Sequence, residues 1–124
     1  MRFALEFHDS EVRDVAADGG ALRVRLAAAS VRDAAGGRGW LPGVTLALAD
    51  ATLAVDPSHA FGKLAEGRLR LDGRDIARPA LPATLSGRID LTLRFANGTL
   101  LTAHGASLAL DVADDARFAE DLSC

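Results

Sequence analysis

Apolar residues recur at every second position through most of this chain, and the segments that carry them are separated by turn residues rather than by helices. Leu22, Val24, Leu26 and Ala28 alternate with Arg23, Arg25 and Ala27; Ile89, Leu91, Leu93 and Phe95 alternate with Asp90, Thr92 and Arg94. A period of two is the mark of a strand with one face in the core and one in solvent. Between these runs lie Asp18-Gly19-Gly20, Gly36-Gly37-Arg38-Gly39, Leu41-Pro42-Gly43, Asp72-Gly73 and Arg78-Pro79-Ala80-Leu81-Pro82, all turn chemistry. The pattern predicts an all-β fold: a small antiparallel barrel or a two-sheet sandwich.

The 124 residues make a single domain, 1–124, long enough to bury roughly two-thirds of its unfolded surface without staples. The one cysteine, Cys124, excludes an internal disulfide and any zinc site with two thiolates. A net charge of −3 argues against a nucleic-acid arm or a polybasic membrane patch. No apolar run approaches a membrane span, and Glu6 interrupts the start where a leader would stay apolar, so the expected location is cytoplasmic. Thirteen of the 14 basic residues are Arg. The alternation puts Arg23, Arg25, Arg68 and Arg70 on a solvated face.

Asn97-Gly98 predicts a hairpin. Read as a two-residue type I′ turn, it pairs Leu93 with Thr102 and Leu91 with His104, and turns Leu100, Thr102, His104, Leu108 and Leu110 toward the core. Trp40 to Asp56 aligns without gaps on Phe95 to Asp111, which suggests an approximate internal twofold repeat with units around 21–56 and 85–111. A straight strand from Thr99 to Val112 would run about 46 Å, too long for a domain with a radius of gyration near about 14 Å, so it must bend. Gly105 and its repeat partner Asp50, where the apolar phase changes, are the expected corners. Asp114 to Leu122 is expected to form a short C-terminal helical turn, with Phe118 and Leu122 plugging one end.

His104 is then the most informative polar residue. Placed among apolar neighbours, it reads either as a core histidine bonded to Thr102 or a backbone carbonyl, or as a ligand-contacting group in a lumen. His8-Asp9-Ser10 sets three catalytic residue types in a row, yet adjacent strand residues point to opposite faces. A bulge followed by more strand is favoured there over a short helix through Val12, Val15 and Ala16. The stretch from Phe7 to about Leu26 (FHDSEVRDVAADGGALRVRL) resembles the start of several small uncharacterised bacterial β families, some of them immunity-type proteins. That resemblance implies an all-β fold and supplies no catalytic residues. Trp40, after a glycine-rich loop, reads as a barrel cap or an interface anchor. His8, His59 and His104 show no ligand spacing, so no metal site is expected, and Gly36, Gly37 and Gly39 lack the residues of a phosphate loop.

No catalytic constellation is evident, and no cofactor is expected. The expected function is a non-enzymatic binding or protein-interaction module, with His104, Thr102, His8 and Trp40 as candidate ligand-binding residues. The alternatives are a small-ligand barrel with His104 in its lumen and an enzyme of unrecognised type. Open sheet edges with few lysines to protect them would favour a homodimer, and the other partner is an unknown protein or small molecule.

Overall fold

In a computed structural model, which describes residues 2–53 and 57–120, the alternating segments become strands β1 (Phe3–Asp18), β2 (Ala21–Arg32), β3 (Arg38–Leu41), β4 (Val44–Ala49), β5 (Thr52–Leu53), β6 (Gly62–Leu71), β7 (Arg74–Asp75), β8 (Ala80–Leu81), β9 (Ala83–Phe95), β10 (Leu100–Val112) and β11 (Ala119–Glu120). The helical content among the described residues is a single 3-10 turn, Pro57–His59. β1, β2, β4, β10, β9 and β6 pair antiparallel in that order, and β6 pairs back onto β1, so six strands close a barrel. Its closing seam is short, with only Glu11–Lys63 and Val12–Gly62 in register. Beyond the barrel the near ends of β1 and β2 continue into a sheet extension, β8–β1–β2–β3–β11.

The barrel interior is filled by side chains. Leu22, Val24, Leu46, Leu48, Leu69, Leu91, Leu93 and Leu108 are each at most 1% exposed, and barrels of about eight strands already leave just room for side chains. Apolar Phe3, Leu5, Val31 and Leu41 continue this core beneath the extension. Phe118 stacks on Phe3 with ring centroids 5.4 Å apart, and its ring lies so close to Gly39 that a Cβ there would sit 2.4 Å from it.

Strands this long bend by losing phase. Asp9 adopts a left-handed φ of 69° inside a stretch of β1 where the register with β2 shifts, so the expected bulge forms and the strand continues to Asp18. Asp50, φ 52°, separates β4 from β5, and inward residues pass from Val44, Leu46 and Leu48 to Ala51 and Leu53. Facing it, β10 changes from Leu101 and Ala103 to Leu108 and Leu110, and the ladder with β9 slips between Gly105 and Ser107. A Cβ on Gly105 would lie 2.6 Å from Leu48. Both expected corners are therefore corners, set against each other between the Ser107–Ala49 and His104–Thr52 pairs.

The hairpin register is one residue away from the expected one. Gly98 N–H donates to Phe95 C=O and Phe95 N–H to Thr99 C=O, so the loop has three residues, a turn followed by left-handed Gly98 (φ 92°). Leu93 consequently faces Leu101, Leu91 faces Ala103, and His104 faces Asp90. A slip of one residue sends every side chain near the turn to the opposite face. At the C-terminal end no helical turn forms among the described residues: a β-turn closed by Ala116 N–H on Ala113 C=O stands in its place, after which β11 pairs with β3. Leu122, Cys124 and residues 54–56 of the expected first repeat unit lie outside the described residues.

Candidate functional site

His104 and Thr102 belong to the outer wall of the barrel. Thr102 faces Thr92, and His104 leaves 55% of its side chain in solvent with Nδ1 2.5 Å from Asp90 Oδ1. The expectation of a His104-lined lumen is thus overturned by the register, and the interior position is taken by Ala103. An imidazole held by a carboxylate is the base and orienting pair of a catalytic triad without its nucleophile. Among the described residues no hydroxyl or thiol bonds to the ring to complete it.

His8, Asp9 and Ser10 diverge. His8 is exposed, Asp9 pairs with Lys63 at 3.2 Å, and Ser10 is fully buried. Ser10 Oγ donates to Glu6 C=O and accepts Ser30 N–H, each at 2.8 Å. Its hydroxyl thereby replaces the ladder rung that the bulge interrupts, and the register of Glu6 with Ser30 survives.

That register assembles a polar face. Glu6 pairs with Ser30 and Ser30 with Trp40, while Ala4 pairs with Arg32 and Arg32 with Arg38. Directly opposed residues share a face, so Glu6, Ser30, Trp40, Arg32 and Arg38 all lie on the side away from the Leu5 and Val31 core. Arg78 joins them from the loop before β8, which Leu5 N–H fixes by donating to Pro79 C=O at 2.9 Å. Glu6 is only 4% exposed. Its Oε1 lies 3.3 Å from Arg32 Nε and 3.8 Å from Arg38 Nε, and its Oε2 lies 3.8 Å from Arg78 Nε.

Burying a carboxylate costs several kcal/mol unless cations compensate it. Here one negative charge meets three guanidiniums, leaving two positive charges in excess on a chain of net charge −3. The compensation is geometrically incomplete: among the described residues Glu6 Oε1 and Arg32 Nε, 3.3 Å apart, are both buried without a hydrogen-bond partner. The arginines lie above the carboxylate, with 33%, 47% and 58% of the Arg32, Arg38 and Arg78 side chains in solvent.

Two depressions involve residues of this face. One of about 170 Å³ is lined by Glu6, His8, Glu66, Gly67, Ala77 and Arg78; the other, a wide opening of about 530 Å³, is lined by Asp9, Glu11, Ala28, Trp40 and Lys63. Of the four residues singled out from sequence, His8 lines the first depression and Trp40 the second, and His104 and Thr102 lie elsewhere. Glu6 was missed because the Phe3, Leu5, Phe7 alternation assigns it to solvent. The arginines that cover it stand at 32, 38 and 78, and no local spacing connects them.

Among the described residues no group of three or more His, Cys, Asp or Glu is placed to hold a metal ion, and no helix is long and apolar enough to cross a membrane. Comparison with protein-family models, with curated proteins and with solved structures gave no match for this chain.

Proposed function

We propose that the protein is a non-enzymatic binding module whose recognition surface is the Glu6 face of the sheet extension. The observation that carries this reading is a carboxylate, 4% exposed, surrounded by guanidiniums from two strands and a loop. An apolar residue at position 6 would serve the fold at less desolvation cost, so the arrangement favours specificity over stability. The filled barrel supports the same reading, because it leaves the surface as the place where recognition happens.

The test is a panel of small anions, cations and neutral compounds added to the purified chain. It is scored by thermal shift, since any ligand of the folded state raises the melting temperature, and then by amide chemical shifts. Stabilising compounds are expected to perturb residues 4–8, 30–32, 38–40 and 77–79. Perturbations confined to the outer wall around His104 would overturn the assignment.

A further inference from the structure

Resting on that reading of the face, we propose that the Glu6 face binds a phosphate monoester carrying a planar ring, with the phosphate on Arg32, Arg38 and Arg78 and the ring against Trp40. The charge balance selects the anion. A phosphate monoester carries about −1.5 to −2 at pH 7, which matches the two positive charges left where Glu6 meets Arg32, Arg38 and Arg78. Glu66, and Asp9 and Glu11 in the wide depression, confine the anion to the arginines and leave the Trp40 side to the uncharged ring.

The hydrogen-bond geometry agrees. Glu6 approaches each guanidinium through Nε, which holds the three groups from below. Among the described residues, apart from Arg32 Nη1, which donates to Gly36 C=O at 3.3 Å, their terminal nitrogens remain for the planar, two-point recognition that guanidinium offers an oxyanion. The two buried, unpartnered atoms, Arg32 Nε and Glu6 Oε1, are a donor and an acceptor side by side. They face each other at 3.3 Å beneath the surface, so the anion meets the terminal nitrogens above them.

The ring subsite follows from the strand. Arg38 and Trp40 are two residues apart on one face of β3, roughly 7 Å along the chain, a separation an aryl phosphate or a nucleoside monophosphate can span. Trp40 is half-buried and lines the wide depression, so among the described residues part of its indole is open to a stacking ring.

The probes are inorganic phosphate, phenyl phosphate, adenosine monophosphate and benzoate, titrated calorimetrically into the full chain. Both ring-bearing phosphates are expected to bind at least about tenfold more tightly than inorganic phosphate, and benzoate more weakly than either; a preference between the two distinguishes an aryl from a nucleotide source. Arg38→Gln and Arg78→Gln, substitutions at exposed positions, should each weaken phosphate binding by about tenfold or more. Trp40→Leu should abolish only the preference for the ring, and Arg23→Gln on the barrel wall should change nothing. No phosphate binding at millimolar concentration, or binding indifferent to Arg38 and Arg78, overturns the ligand class. If another compound then perturbs residues 4–8 and 38–40, the binding face stands without this ligand; if every perturbation lies elsewhere, both readings fall.

Discussion

Ser10 shows how much can rest on one hydroxyl. Its Oγ is the partner of both Ser30 N–H and Glu6 C=O in a fully buried position, so Ser10→Ala leaves a donor and an acceptor unpaired and should cost about 1–3 kcal/mol in urea unfolding. His104 is the opposite case. With its ring in solvent, His104→Ala should change stability by less than about 1 kcal/mol, whereas Leu91→Ala in the barrel should cost about 2–5 kcal/mol. Comparable losses for these two variants would contradict the register reported above. At the surface, the Arg25 side chain hydrogen-bonds Asp14 and adds its positive charge, which holds the Asp14 carboxyl below its ordinary value. A lowered folded pKa stabilises the fold above the unfolded value and ceases to do so as pH falls through the folded one. The stability gap between the parent and Asp14→Asn should therefore be constant above about pH 4 and shrink below it.

At the scale of elements, the glycines at turns and corners bear the geometry. Gly98→Val would force a β-branched residue to a φ of 92° and should cost about 1–3 kcal/mol. Gly105→Ala should cost a similar amount, about 1–3 kcal/mol, because its Cβ would press on Leu48 and on the Ala49 carbonyl oxygen, 2.7 Å away. The strands, the β9–β10 pairing and the corners at Asp9, Asp50 and Gly105 were legible in the sequence, because a break in a period of two is visible wherever large apolar residues mark the phase. Where they do not, the signal disappears. β2 changes its inward positions from Leu26 to Ala29 within Ala27-Ala28-Ala29, which reads the same in either phase. The hairpin was ambiguous for a related reason: the two-residue turn expected at Asn97-Gly98 agrees with Leu100, Leu108 and Leu110, and because Leu100 and Leu101 are both apolar, the change of phase at the Gly105 corner is hidden. The Glu6 face was illegible because its charges meet only through cross-strand pairing and a loop contact.

For the whole molecule, closure removes the main physical ground for self-association through sheet edges. Among the described residues the extension ends in β8 and β11, each two residues long, a short template for another chain. Sedimentation at micromolar concentration should accordingly show a monomer, and a stable dimer would require an interface other than an edge. Because β1 and β2 run through both the barrel and the extension, the proposed binding face is fastened to the core by the same backbone that shapes it.

The short β1–β6 seam has a kinetic consequence. β9 and β10 are neighbours along the chain and share ten register pairs, so they can zip locally. The seam instead joins Glu11 and Val12 to a strand some fifty residues later through two pairs, and the entropy of closing so long a loop delays its reward. It should form last during folding and part first in the native state. In deuterium, amides of β1 and β6 along that line should exchange by local opening well before those of the β9–β10 ladder.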